Sequence, residues 1–335
     1  MKTIAFFNNK GGVGKTSLVY HLSWMMSLLG IKTLVADLDP QANATSAFLS
    51  EEAIERVWDS GGSSTIYGAI KPLMEGIGDI SVQTPYSITD RLSLIPGDLA
   101  LSSVEDELST TWPKCLDGDV RAFRVTTSFD RIIHESGAKV AADLALIDVG
   151  PNLGAINRCS LVAADYVIIP LSADLFAIRG LQNVGPKLRD WRQAWKKRLE
   201  AKPANISFDL PQGEMLALGY VVSRYSVFAR GPVKAFQRWL NRIPDTYRAA
   251  VDNDFQPPHN LTIDNDPKKL ALLKDYRSLM PMAQEAHKPM FLLKPADGAI
   301  GGHQSAVQEC RRDFDALARR ILEEIGSSTP LLLPA

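Results

Sequence analysis

Between Asn9 and Thr16 the chain reads NKGGVGKT, which places two lysines, three glycines and a hydroxyl directly behind the apolar run Lys2 to Asn8. A loop of the form GxxxxGK[ST] between a strand and a helix holds phosphates. Its backbone N–H groups and the helix N-terminus face the anion, its lysine reaches the β and γ phosphates, and its serine or threonine serves magnesium. Gly11, Gly12 and Gly14 let the backbone, Val13 included, approach phosphates; Lys15 supplies the ammonium, Thr16 the hydroxyl, and Ser17 completes the nucleotide-binding positions. Lys10 departs from the form, standing where the first glycine would be.

Three carboxylates extend this chemistry. Asp37 and Asp39 in ADLDPQAN close one apolar run, and Asp148 closes another, LALID. An acid at the C-terminal tip of a buried parallel strand lies on the edge where such sheets bind ligands, and suits a magnesium ion held through water. Alone, an aspartate after an apolar run reads as a loop initiator. With the glycine loop in the same chain, the metal-supporting reading is preferred.

The elements that must position these residues follow from apolar patterning. Lys2 to Asn8 reads as a buried strand, Ser17 to Leu29 as a helix closed by Gly30, and Lys32 to Asp37 as a second strand, together a βαβ unit. Leu92 to Ile95, Leu144 to Asp148, Tyr166 to Pro170 and Leu216 to Val222 are further runs with no polar alternation, as expected of strands buried on both faces. The fold class is α/β: a doubly wound, mostly parallel sheet flanked by helices. Ser50 to Thr89 reads as helices and loops outside the main sheet, and Ala249 to Asp266, with Pro257-Pro258, as a surface excursion. A single domain spanning 1–335 is expected, with insertions at about 50–90 and 249–270 and a frayed tail from Gly326.

Composition sets the outer limits. With 335 residues, 45% hydrophobic and 22% charged, the chain matches an ordinary soluble globular protein. Cys115, Cys159 and Cys310 form no CxxC pair, which argues against a zinc site or a disulfide framework and for a reducing cytoplasm. MKTIAFF runs straight into the glycine loop and reads as a strand, not a signal peptide. No apolar run reaches the roughly 20 residues that span a bilayer, so no stable membrane insertion is expected. The net charge of -1 hides an asymmetry: Gly180 to Arg248 holds thirteen basic and five acidic residues.

Taken together, KGGVGKTS, VADLDPQANAT, LSLIPGDLALSSVEDEL, LALIDVGPNLGAINRCSLVAADYVIIPLSADLFAIRGL and the closing LARRILEEI resemble the deviant Walker A ATPases, and among them the ParA partition ATPases most closely. The resemblance implies a P-loop NTPase fold that uses ATP, ADP and Mg2+. It also implies an ATP-sandwiched homodimer in which Lys10 reaches the partner's phosphates, as an arginine finger supplied in trans would. By motif, Lys15 and Thr16 contact phosphate and magnesium, Asp39 orients the attacking water, and Asp37 and Asp148 support the metal. Hydrolysis is expected to be slow, non-specific DNA and a ParB-like stimulating protein are the expected partners, and the location is cytoplasmic and nucleoid-associated. One departure is visible: where relatives show a double proline after the last acid, this chain has Val149-Gly150-Pro151-Asn152.

Relatives of this kind hold DNA phosphates through basic residues of the C-terminal half, a contact that salt weakens steeply. Arg224, Arg230, Lys234, Arg238 and Arg242 are the candidates, and the spacing of Lys234, Arg238 and Arg242 predicts one helical face. The alternative for such residues is a solvated face with no partner. Trp191 to Lys202 reads instead as a helix anchored to the sheet by Trp191 and Trp195, with its lysines in water. A MinD-like membrane or protein-assembly adaptor is the competing class. It would use the stripe Phe314, Leu317, Ala318, Ile321, Leu322 and Ile325, although a stripe of that width usually covers a core. A nitrogenase-reductase relative is excluded by the placing of the cysteines.

Overall fold

Strand β1 (Lys2–Phe6) passes through the glycine loop into helix α1 (Lys15–Leu28), which returns along the sheet to β2 (Thr33–Asp37). Helices α2 (Asn43–Phe48), α3 (Glu51–Asp59) and α4 (Ile66–Met74) lead to β3 (Tyr86–Thr89) and β4 (Leu92–Ile95). A 3-10 turn at Leu99–Val104 opens α5 (Glu105–Lys114), followed by α6 (Val120–Thr126) and α7 (Ser128–Lys139). Then come β5 (Leu144–Asp148), α8 (Ala155–Val162), β6 (Tyr166–Leu171), the long α9 (Leu175–Glu200) and β7 (Leu216–Tyr225). A short pair, β8 (Val227–Phe228) and β9 (Gly231–Pro232), precedes α10 (Lys234–Leu240) and α11 (Ile243–Tyr247). Strand β10 (Lys269–Lys274), α12 (Met280–Glu285) and α13 (Gly302–Glu324) complete the described elements. This computed structural model describes residues 1–59, 64–225, 227–228, 231–232, 234–256, 260–276 and 278–327, with the backbone alone at 224–225, 227–228, 231–232 and 234–236.

The eight-stranded sheet has the order β10-β7-β6-β1-β5-β2-β4-β3 and is parallel except for β3. Alternate residues of each strand feed opposite layers. Ala145 and Ile147 of β5 face Phe129, Trp191 and Trp195, whereas Leu144 and Leu146 face Leu22, Met25 and the α13 residues Phe314, Leu317 and Ile321. The stripe on α13 is therefore core. Trp191 and Trp195 anchor α9 as expected, and Lys196, Lys197 and Lys202 of that cluster are exposed.

One stretch differs from the sequence expectation. Ser50 to Thr89 is not wholly outside the sheet, because Tyr86–Thr89 forms its antiparallel edge strand. The Ala249 to Asp266 stretch is largely exposed among its described residues, as expected of a surface excursion, but it is fastened to the body at Ala250, Val251 and Asp266. A Cβ on Gly185 of α9 would collide with the carbonyl of Ala250, Arg189 donates to the carbonyls of Ala250 and Val251, and the Tyr220 hydroxyl donates to buried Asp266 at 2.7 Å. The residues from 328 onward, part of the expected tail, lie outside the described residues.

His21 links α1 to the C-terminal layer. Its Nδ1 donates to the Ser17 carbonyl at 2.7 Å, its Nε2 accepts from the Met290 N–H at 3.2 Å, and its ring stacks on Phe314 at 5.0 Å. Burial pushes its pKa down to about 4. Below its unfolded value near 6.5 the unfolded chain takes up a proton that the folded chain refuses, so the imidazole's contribution is complete above pH 6.5 and is lost as pH falls toward 4. Urea unfolding of wild type and His21→Leu across that window should show their stability difference shrinking by about 3 kcal/mol. The comparison with the variant cancels the buried carboxylates, which titrate in the opposite sense. A pH-independent difference would rule out the neutral imidazole.

Candidate functional site

The loop's shape follows from its residue types. Gly12 and Gly14 have φ of 72° and 89°, the left-handed region that only glycine enters without strain, and Gly14 hands directly to the first residue of α1. A Cβ on Gly11 or Gly12 would meet nothing within 4 Å, so the loop is open on its outer side. Asn8, fully buried and absent from the sequence-level candidates, fixes the loop's base. Its amide donates to the Pro170 carbonyl at 2.7 Å and its Oδ1 accepts from the Lys10 N–H at 3.0 Å. Its signal in the sequence is a polar side chain closing an otherwise apolar strand.

The register of the sheet brings the acids to the loop. Asp37 and Asp148 are paired across β2 and β5, and Phe6, the last residue before the loop region, pairs with Asp148. Asp148 is completely buried and both its carboxylate oxygens lack a hydrogen-bond partner. Burial raises its pKa above the usual carboxylate range, and Asp37 and Asp39 add to the rise, while the nearby Thr16 hydroxyl, outside hydrogen-bond geometry, and the Lys15 charge pull the other way. Lys15 is only 7% exposed; burial lowers its pKa, against the attraction of Asp148 and Asp39. Such a cluster of acids around one ammonium is a place that favours an additional cation.

The expectation for Asp37 and Asp148 divides at this point. Asp37 Oδ2 accepts from both the N–H and the hydroxyl of Thr45 at 2.8 and 2.7 Å, and Oδ1 accepts from the Asp39 N–H at 3.3 Å. The same Thr45 hydroxyl accepts from the Gly97 N–H at 2.7 Å, which ties β4 to the loop after β2. Asp37 therefore braces the loop with part of its accepting capacity, whereas both Asp148 oxygens are without a hydrogen bond. Among the described residues no group of three or more His, Cys, Asp or Glu side chains could hold a metal alone. Magnesium characteristically takes one or two carboxylates and completes its shell with water and substrate phosphate, so Asp148 and Thr16 fit it. Asp39 lies beside them, its Oδ1 accepting from the Gln41 N–H at 3.0 Å.

Lys10 is tied to the start of α9. Its ammonium donates to Asp174 at 2.5 Å and Ser172 at 2.9 Å and stands over the Phe176 ring at 5.4 Å, all at the start of α9. At the loop's other end, a cleft of about 380 Å³ opens beside Gly14 and Ser17, bounded by Ser223 near the end of β7 and by Asp275 and Tyr276 after β10. The Ser223 hydroxyl is buried there without a partner. These residues were missed because neither strand end carries a recognisable spacing.

A family model described as an AAA domain matches residues 1–201. The chain is a member of the ParA/MinD-type P-loop ATPases. It is 30% identical to an uncharacterized protein of Methanocaldococcus jannaschii over 73% of this chain and 82% of that one. It is also 30% identical to the sporulation initiation inhibitor protein Soj of Bacillus subtilis, over 55% of this chain and 63% of Soj, so just under two thirds of that relative is spanned. A solved structure of a Corynebacterium diphtheriae protein superposes with a TM-score of 0.71 at 24% identity, covering 97% of this chain and 99% of that chain. The P-loop NTPase fold expected from the motifs is thus the fold of this ParA/MinD-type chain.

The basic segment is sorted by the structure. Arg189, Arg192 and Arg198 of α9 donate to backbone carbonyls, and Arg248 pairs with Asp254. Arg238 and Arg242 are exposed and flank Trp239, with their guanidinium carbons 5.3 and 5.2 Å from its ring centre. They do not share one continuous helix: α10 ends at Leu240, and Arg242 is the N-cap of α11, whose first turn holds Pro244. Arg230 lies outside the described residues, as do the side chains of Arg224 and Lys234.

Proposed function

We propose that this chain is a ParA-like, magnesium-dependent ATPase that forms an ATP-sandwiched homodimer. In that form it binds DNA without sequence preference and hydrolyses ATP slowly, so as to partition or position DNA or another cargo. The observation that carries the reading is Lys10, a lysine at the loop's start whose ammonium engages Ser172 and Asp174 and is available to a second subunit. Self-association is further supported by four exposed apolar side chains, Leu99, Leu153, Leu175 and Phe176, which all follow the C-terminal ends of parallel strands, on the same edge as the loop. Lys15 and Thr16 bind phosphate and metal, Asp148 supports the metal, and Asp39 orients the water. The cleft beside Gly14 receives the base.

Exposed Arg238 and Arg242 supply phosphate contacts for DNA, and a ParB-like partner stimulates turnover. Among the described residues no helix is long and apolar enough to cross a membrane, and the α13 stripe that a MinD-like adaptor would press onto lipid is committed to the core.

Fluorescence anisotropy of a labelled duplex, run with ATP, with ADP and with Lys10→Ala at several salt concentrations, tests the proposal. Binding should require ATP and Lys10, and should fall steeply with salt. The Arg238→Ala and Arg242→Ala variants should each lower the log–log salt slope by about 1. Binding that ignores the nucleotide, or no binding at all, sinks the DNA role.

A further inference from the structure

We propose that Glu105, a residue outside the phosphate site, is a positioning residue that sets the geometry of the loop between β5 and α8 and through it of Asp39. The kinetic consequence rests on the ATPase reading above; the clamp itself does not.

The loop 149–154 begins directly after Asp148, and its Gly150 lies against the water-orienting acid: a Cβ there would sit 3.2 Å from Asp39 Oδ1. Two side chains hold the loop. Asn157, buried in the first turn of α8, donates its amide to the Gly150 and Asn152 carbonyls at 2.7 and 2.8 Å. The second is Glu105. Its two carboxylate oxygens accept from the N–H groups of Ala155 and Ile156 at 2.5 and 2.9 Å. Those are first-turn donors of α8 that have no partner within the helix, and a carboxylate there also opposes the positive end of the helix dipole.

Helix α8 has no cap of its own, because Gly154 stands at the N-cap. A side chain there would be excluded by the clamp, since a Cβ on Gly154 would fall 2.5 Å from Glu105 Oε1. The cap thus comes from a residue 50 positions earlier in the chain.

The origin of Glu105 gives the contact its reach. It is the first residue of α5, which follows the Leu99–Val104 turn and, before it, Gly97, two residues past β4. Gly97 is bonded to Thr45, and Thr45 to Asp37. A Cβ on Gly97 would press on Asp37 Oδ2 at 2.8 Å. The segment from Gly97 to Glu105 therefore ties the Asp37–Asp39 loop at one end to the Asp148–Gly154 loop at the other. This accounts for the stretch PGDLALSSVEDEL, which the phosphate chemistry leaves unused.

The test uses the full chain carrying Glu105→Ala, Glu105→Gln, Gly154→Ala or Glu105→Gln with Gly154→Ala. ATP turnover, Mg·ATP affinity, thermal unfolding, and amide hydrogen exchange over 149–157 without nucleotide are measured for each. Glu105→Ala should lower turnover by about 10- to 100-fold, the scale of a displaced reacting group, with affinity held within about threefold. Glu105→Gln, which keeps an acceptor, should lose less. Gly154→Ala should match Glu105→Ala, and the double variant should be no worse than Gly154→Ala alone, because both act through one contact. Exchange at Ala155 and Ile156 should quicken in every variant.

Turnover within twofold of wild type, a loss explained by unfolding at the assay temperature, or additive losses in the double variant would each overturn the positioning role. A wild-type chain without turnover would refute the ATPase reading instead. In that case the clamp is decided by exchange alone: quickened exchange upholds it, and unchanged exchange in Glu105→Ala refutes it.

Discussion

Lys10→Ala is expected to abolish ATP-dependent self-association and to lower turnover by about 10³-fold, the scale of a cationic finger supplied to phosphoryl transfer in trans. Mg·ATP affinity of the single subunit should stay within about threefold, because Lys15, Thr16 and the backbone of the loop are untouched. The structure gives this lysine a defined starting point: Asp174 and Ser172 hold its ammonium, and Asp174 also caps α9 by accepting from the Ala177 N–H at 2.9 Å. Reaching a partner's phosphates means leaving one carboxylate for a more highly charged anion. Asp174→Asn, which keeps the cap acceptor, should therefore tighten ATP-dependent self-association by about two- to fivefold, the worth of a half-exposed ion pair. Sedimentation velocity with ATP and with ADP separates the cases. If Lys10→Ala dimerises as wild type does, the trans role is wrong.

What could be read in the sequence divides along physical lines. Strands covered on both faces announce themselves as unbroken apolar runs, so β4 and β5 match their expected limits residue for residue, and β1, β2, β6 and β7 differ only at their ends. The two strands of the main sheet that escaped are its outermost, β3 and β10, where YSIT and KLALLK are only partly covered and carry polar residues. A trace of β10 was nevertheless present. Gly219 interrupts LALGYVV because a Cβ there would collide with the Lys268 carbonyl, and a lone glycine inside a strand marks the close approach of another backbone. Likewise Pro244 announces a new helix start after Arg242, a signal that the four-residue spacing of the basic residues obscured. In the site, the glycine loop is local and its φ angles follow from its composition. The difference in hydrogen bonding between Asp37 and Asp148 is not local: it depends on Thr45, eight residues away, and on an inter-strand register that only the folded sheet supplies.

Asp39→Ala should reduce turnover by about 10²- to 10⁴-fold, the range for loss of a positioned proton-handling group, while Mg·ATP affinity changes little. The separation follows from the geometry. In the proposed scheme binding rests on Lys15, Thr16 and Asp148, whereas Asp39 sits one strand-end away, with its backbone N–H on Asp37 and its Oδ1 on the Gln41 N–H. Gly150 offers a graded form of the same test. A methyl at this position would stand 3.2 Å from Asp39 Oδ1, close enough to move the carboxylate by a few tenths of an ångström without removing it. Gly150→Ala should accordingly lower turnover by about two- to tenfold, well short of Asp39→Ala, with binding unchanged. Single-turnover hydrolysis measured beside nucleotide affinity distinguishes the outcomes. Asp39→Ala turning over at the wild-type rate would remove Asp39 from the water-orienting role. A Gly150→Ala defect confined to binding would show that this glycine shapes the phosphate site and not the acid beside it.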